Sequence, residues 1–387
     1  MDRVDPKVDE AIETLNMKDG PSRRKLLKGT GLVSATAAAS ALLAACSSSS
    51  SPASAAAKDT AGNFPKTPAW QFWFVNHVTT NTFFTPTQYG FADAAAILDI
   101  PVPKWTGSTN SVASQMVAQI NAAVSAKAAG IATTLINSSS FTTPVGNAMS
   151  AGIPVLSYNA DGVVSKSGVP DIGCNRLAYV GQALFTSGQQ LGERIKSLTT
   201  PGEVAIFIET PGTANIQPRF DGANSILSPL GYKVAEITTT TVPATILANE
   251  KAYLLAHKSV KGAFAVDSTS TSFLAQALSE TGLSHLPNGG FDTVPQTLTN
   301  IKAGTTGFTI YQDPYLQGFL PTLYMYLYNI SGGTLVPSDT DTGLSFITKS
   351  NLTQYNVASR YQGSTTAQKY VPRPSGAISN PPATTST

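Results

Sequence analysis

Charge is scarce in this chain. Only 12% of its 387 residues are Asp, Glu, Lys or Arg, and the formal net charge is +2. Nucleic-acid binding is therefore not expected, because neutralising phosphates needs clustered Lys and Arg. Cysteine is nearly absent: two residues, Cys46 and Cys174, cannot build a disulfide framework or a Cys-rich zinc site. The three histidines, His77, His257 and His285, lie far apart and none stands in an HExxH pattern, so no metal site and no cofactor are expected. A Gly-x-Ser-x-Gly elbow is missing, which argues against a serine hydrolase and for a non-enzyme.

What is present begins with a leader. Ser22-Arg23-Arg24-Lys25-Leu26-Leu27-Lys28 is basic, Gly29 to Ala45 is weakly apolar, and the stretch closes on Leu43-Ala44-Ala45-Cys46. That is the layout of a secretory signal. Its apolar part is shorter than the ~20 residues that span a bilayer and is rich in Ala, Gly and Ser. Arg23-Arg24 resembles a twin-arginine export motif, and Leu43 to Cys46 resembles a bacterial lipobox with Cys46 as the lipidated residue. Residues 1–45 are expected to be a signal and 46–65 a Ser- and Ala-rich tether standing a folded body off a membrane. The leader holds 7 of the 25 basic and 6 of the 23 acidic residues, so the rest is nearly neutral as well. Cys174 is then the second of only two cysteines, with no partner for an internal disulfide once Cys46 is lipidated.

From Trp70 the pattern alternates. Apolar runs at Trp70–Asn76, Val102–Thr106, Ile131–Ile136 and Ile153–Tyr158 read as buried strands, separated by helical spacings such as Val112, Met116, Ile120 and Val124. A second round comes after them: a helix over 177–198, strands at Val204–Ile208, Tyr232–Ile237, Gly262–Val266, Gly289–Phe291 and Gly307–Ile310, and helices between them. This predicts an α/β protein of two doubly wound parallel-sheet lobes joined by three crossings, with a ligand cleft between them. The expected division is 66–176 plus 313–341 for one lobe and 177–312 plus 342–362 for the other, with a Pro/Ser/Thr-rich tail over 363–387. The crossings are expected near Cys174–Leu177, Gln312–Asp313 and Thr340–Gly343.

Ligands of such sheets sit past the carboxyl ends of the strands. Those ends carry Asn81-Thr82-Phe83-Phe84, Tyr158-Asn159-Ala160-Asp161, Arg219, Asp267, Asp292 and Tyr311-Gln312-Asp313. Aromatic faces suit the C–H faces of a sugar ring, while amides, carboxylates and a guanidinium suit its hydroxyls. Asp267 and Asp292 are also placed to cap the helices after them. His77 reads as a surface or hydrogen-bond-satisfied residue.

In this context Asn81-Thr82-Phe83-Phe84, Gly152-Ile153-Pro154-Val155, Gly290-Phe291-Asp292 and Thr309-Ile310-Tyr311-Gln312 resemble, in order and spacing, segments of the ribose-type periplasmic binding proteins. These are the sugar-binding subunits of ABC importers. Asp313-Pro314-Tyr315-Leu316-Gln317-Gly318 is similar to a segment of actinobacterial sugar-binding lipoproteins. The resemblance implies that Asn81, Phe83, Phe84, Asn159, Asp161, Arg219, Asp267 and Asp292 touch a small neutral sugar or polyol and that Gln312 sits at the hinge. It further implies a monomer anchored outside the cytoplasmic membrane that delivers its ligand to an ABC permease. A signal receptor of the same fold is the alternative it leaves open. The Asp-Arg pair of the family is replaced here by Asn159-Ala160, so a polyol or a differently configured pentose or hexose fits as well as ribose.

Overall fold

A computed structural model describes residues 64–162, 176–355 and 360–363. The expected signal and most of the tether, Cys46, Cys174 and the tail beyond Gly363 lie outside the described residues. The chain divides at Lys66–Thr67, and the unit from Thr67 onward holds every helix and strand of the described residues.

Two six-stranded sheets organise this unit. The first contains β1 (Phe72–Asn76), β2 (Lys104–Gly107), β3 (Gly130–Leu135), β4 (Val155–Asp161), β5 (Tyr179–Gly181) and β11 (Thr340–Asp341) in the order 11-5-4-3-1-2. The second contains β6 (Glu203–Ile208), β7 (Lys233–Thr238), β8 (Ala263–Ala265), β9 (Asn288–Phe291), β10 (Phe308–Tyr311) and β12 (Ser345–Ile347) in the order 12-10-9-8-6-7. Every pairing is parallel except β10 with β12. The central strands are largely buried because helices cover both faces; β3 is buried at all six positions.

Helices α1 (Thr85–Leu98), α2 (Ala113–Ser125), α3 (Thr142–Ser150) and α9 (Leu316–Ile330) serve the first sheet. Helices α4 (Leu184–Leu198), α5 (Gln217–Leu227), α6 (Pro243–Ala256), α7 (Ser268–Glu280) and α8 (Pro295–Ala303) serve the second. Phe72, Phe74, Phe91 and Leu156 pack with Met325 and Tyr326 of α9 in one core. Val204, Ile206, Phe264, Phe291 and Phe308 centre another beneath α4 and α5.

Two close helix crossings are made possible by glycine. In α1 and α9, a Cβ on Gly90 would lie 2.1 Å from the Tyr315 carbonyl oxygen, and one on Gly318 would lie 1.9 Å from that of Thr87. In α4 and α5, a Cβ on Gly188 would lie 2.1 Å from the Arg219 carbonyl oxygen, and one on Gly222 would lie 2.2 Å from that of Phe185. Only residues without a side chain permit such approach.

The sheet order corrects one expected boundary. Residues 177–198 are not a single helix: Tyr179–Gly181 pairs with β4 as β5, so the first change of sheet falls between Gly181 and Leu184. The chain changes sheet again between Tyr311 and Leu316, and between Asp341 and Ser345. These crossings are tied together. Thr342 Oγ1 donates to the Gln312 carbonyl (2.7 Å), Thr342 N to that of Gly181 (3.0 Å), and Gln182 Nε2 to that of Gly343 (3.3 Å). Helix α1 begins at Thr85, with Pro86 in its first turn, where a missing N–H costs nothing.

Candidate functional site

In each sheet the chain leaves one strand to one side and then crosses back to its other side: β1 lies between β2 and β3, and β6 between β7 and β8. Such a switch point leaves a crevice at the strand's carboxyl end. The two crevices face each other across one cavity. It is lined by Asn81, Phe83, Phe84, Asn159, Arg219, Asp267, Asp292 and Gln312, eight of the nine candidate site residues.

The first lobe supplies an aromatic wall. Asn81 Oδ1 accepts from Phe83 N (2.9 Å) and so caps a short 3-10 turn over Thr82–Phe84. That turn sets Phe83 and Phe84 edge to face, 4.8 Å between centroids, with the His77 ring edge-on to Phe84 at 5.4 Å. Asn159 has φ 62, a left-handed conformation that Asn tolerates better than most residues. Its Nδ2 donates to Gln317 Oε1 (3.1 Å) and Gln312 Oε1 (3.4 Å).

The second lobe supplies the charge. Arg219 is 2% exposed and packs its guanidinium 4.1 Å over the Phe291 ring. Its NH1 donates to the Val266 carbonyl (3.0 Å) and its NH2 to Gln182 Oε1 (3.1 Å), while Nε has no acceptor among the described residues. Burial lowers its pKa from the usual value, against the pull of Asp292. Asp267 caps α7, accepting from Ser270 N (2.7 Å), and burial raises its pKa to about 6. Asp292, also left-handed (φ 73), accepts from Gln312 Nε2 (2.6 Å), and burial raises its pKa despite Arg219. It does not cap a helix, because α8 starts at Pro295 behind Val294.

Asp161 is the exception. Its carboxylate is held by Arg176 Nε (2.8 Å) and NH2 (2.5 Å) and by the Ser157 hydroxyl, and it does not border the cavity. Arg176 also grips Asp339 (2.8 Å), so its fork fastens β4 to the segment before β11.

Some lining residues were not among the candidates. His77 is buried, bonded to Thr134 Oγ1 (3.1 Å) and Asn215 Nδ2 (3.4 Å), and burial lowers its pKa to about 4. It is thus satisfied, as expected, but belongs to the cavity wall. Asn215, Ser268 and Glu209 join it. Glu209 ends β6 by the same strand-end criterion that picked out Asp267 and Asp292. Burial, then Asp267 and Asp292, push its carboxyl up to about 9.

The lobes touch across the cavity. Ala214 N donates to the Ile136 carbonyl (2.9 Å), and Asn81 Nδ2 reaches Ser268 Oγ (3.5 Å). A second hollow borders the crossings and is lined by Tyr311, Tyr315, Tyr355 and Tyr361. Its one acidic or basic lining residue is Asp313, whereas three carboxyl groups and a guanidinium converge on the first.

Residues 72–332 match the family described as the periplasmic binding protein domain. The chain belongs to this family. A curated relative, the xylose/arabinose-binding protein XylF of Sulfolobus acidocaldarius, is 45% identical over 320 residues, covering 80% of this chain and 78% of the relative. Among solved periplasmic binding protein structures, an ABC transporter solute-binding protein from Burkholderia graminis in complex with D-arabinose aligns with a TM-score of 0.69. It is 27% identical and covers 76% of this chain and 99% of its own. A carbohydrate transporter protein from Acidothermus cellulolyticus in complex with myo-inositol aligns with a TM-score of 0.65 at 23% identity, covering 74% of this chain and 96% of its own, and shares the fold.

Proposed function

We propose that this protein captures a small neutral sugar or polyol, a pentose foremost, outside the cytoplasmic membrane and delivers it to an ABC permease. The observation that carries the reading is the convergence, in one cavity between two lobes, of an edge-to-face phenylalanine pair with a guanidinium, two aspartates and the amides of Asn81, Asn159 and Gln312. Phe83 and Phe84 take the ring's C–H face. Asp292 and Asn81 bond hydroxyls, and the unpaired Arg219 Nε gives one further donor. The names of the 45%-identical relative and of the arabinose-bound neighbour favour a pentose.

Capture arises from sharing the ligand between lobes. Three chain crossings join the lobes, so a ligand touching both favours the closed arrangement by its differential contacts. The Asp292–Gln312–Asn159 chain of hydrogen bonds runs from one lobe through a crossing to the other and links the site to the hinge. Asp161, with its carboxylate engaged by Arg176, serves this frame. The chain acts as a monomeric binding subunit without catalytic activity. Export through the paired Arg23-Arg24 and lipid attachment at Cys46 keep it at the membrane surface.

Calorimetric titration of the purified chain with aldopentoses, hexoses, inositols and linear polyols tests the reading. One saturating sugar or polyol per chain supports it; folded protein silent across the panel overturns it. Cys46→Ser should release the protein from membranes, and retention there would overturn the anchor.

A further inference from the structure

We propose that Glu209 is a ligand-contacting residue that sets the cleft's preference, its side chain donating a hydrogen bond to a sugar hydroxyl. The inference rests on the sugar reading above and deepens it.

Position is the first argument. Glu209 comes directly after β6, the switch strand of the second sheet, as His77 comes directly after β1 in the first. The crevice opens at these two points. Glu209 lines the cavity together with Arg219 and Asp267.

Occupancy is the second argument. Asp267 is engaged by donors: Ser270 N (2.7 Å), Ser270 Oγ (3.0 Å) and the Glu209 backbone N–H (3.0 Å). Asp292 accepts from Gln312 Nε2 at 2.6 Å, with Arg219 as its countercharge. The Glu209 carboxyl has Thr269 as its hydrogen-bond partner and otherwise faces the cavity. Asp267 thus has both oxygens engaged, whereas Glu209, like Asp292, has one partner and keeps capacity for a ligand hydroxyl.

Charge is the third. Three carboxyl groups share a cavity with one guanidinium. The groups that face Glu209 are Asp267 at the end of β8, Asp292 at the end of β9, Arg219 on α5 and His77 at the end of β1; Glu250 on α6 lies behind Asp267. The like charges and the loss of water both favour the neutral acid, as its raised pKa reflects. A neutral carboxyl is a donor, whereas an ionised one only accepts. The cavity therefore offers a hydroxyl donor beside hydroxyl acceptors, which is what a ring of vicinal hydroxyls requires.

The test is calorimetric titration of wild type, Glu209→Gln and Glu209→Ala with D-xylose and L-arabinose at several pH values from about 6 to about 10. Circular dichroism establishes that each variant is folded. Wild type should lose affinity above the pKa of Glu209, approaching about tenfold per pH unit. Glu209→Gln keeps a donor, so it should bind more tightly than Glu209→Ala and lose the alkaline decline. Glu209→Ala should bind about ten- to a hundredfold more weakly at the acid end. Persistence of the alkaline decline in Glu209→Gln, or wild-type affinity in Glu209→Ala, overturns the proposal while leaving the sugar reading intact. A wild type that binds no sugar at about pH 6 overturns the sugar reading and this proposal with it.

Discussion

Gly188→Ala should impair sugar binding although residue 188 does not line the cavity. The new Cβ would stand 2.1 Å from the Arg219 carbonyl oxygen, and ordinary contact begins at 3.4 Å. Helices α4 and α5 must therefore open by about 1.3 Å, the difference between those values. The atom in the way is backbone, so no side chain can swing aside. Arg219 rides on α5, and its bonds to Val266 and Gln182, at 3.0 and 3.1 Å, cannot survive a shift of that size. Overpacking costs about 1–3 kcal/mol and a lost charged hydrogen bond about 1.5–3 kcal/mol. The two share one cause and do not simply add, which gives about 2–4 kcal/mol. Urea unfolding should show a loss of this order, and titration a fall in affinity of at least about tenfold. Gly146→Ala is the control: nothing lies within 4 Å of its Cβ, so it should gain up to about 1 kcal/mol and bind normally. If Gly188→Ala matches wild type in both stability and affinity, the claim that this helix contact positions the guanidinium is wrong.

Asp292→Asn keeps shape and tolerates the left-handed backbone, yet exchanges a charged acceptor for a neutral one; titration should show a loss of about ten- to a hundredfold, and unchanged affinity would remove Asp292 from the ligand's contacts. Asp161→Asn should leave affinity within about threefold of wild type and cost about 1–3 kcal/mol on unfolding, because it breaks the ion pair with buried Arg176 and touches no ligand; a large affinity loss would contradict this. Stability should also depend on pH. Glu209 and Asp267 have folded pKa values raised above the ordinary 4.5 and 3.8, so their contribution is fully present below those values. It is lost as pH rises through about 6 and then about 9. His77, lowered from 6.5 to about 4, contributes above the higher value and loses its contribution as pH falls toward the lower. Thermal melts of the ligand-free protein should therefore peak at mildly acid pH and decline toward alkaline pH, with Glu209→Gln flattening that decline; melts that rise from about pH 6 to about pH 9 would refute the assignment.

Much of the architecture was legible because buried parallel strands are predominantly apolar runs, as in Val204–Ile208. Strand β5 was not, since three residues, Tyr179–Gly181, carry no readable period and merge with the helical spacing after them. The site was legible to the extent that strand ends were. Asp267 and Asp292 were found by that rule, and Glu209 obeys it too, but the Pro211-Gly212 turn after it reads as an ordinary loop. Asp161 met the rule and yet stands outside the cavity, because Arg176, 15 residues onward, engages its carboxylate. Which of two neighbouring groups a side chain answers is a matter of three-dimensional pairing, and spacing along the chain does not contain it.

The three sheet changes also bear on how the protein is made. Neither lobe is a continuous stretch of chain. Phe72 and Phe74, near the start of the body, complete their core only with Met325 and Tyr326, about 250 residues later. A nascent chain that ends at β10 has its first sheet without α9, with the face for Met325 and Tyr326 bare. Contacts of such long sequence separation make folding slow and leave apolar surface waiting for its cover. The body therefore cannot acquire its first stable half early and its second half later; both lobes must finish together, after nearly the whole chain has been synthesised.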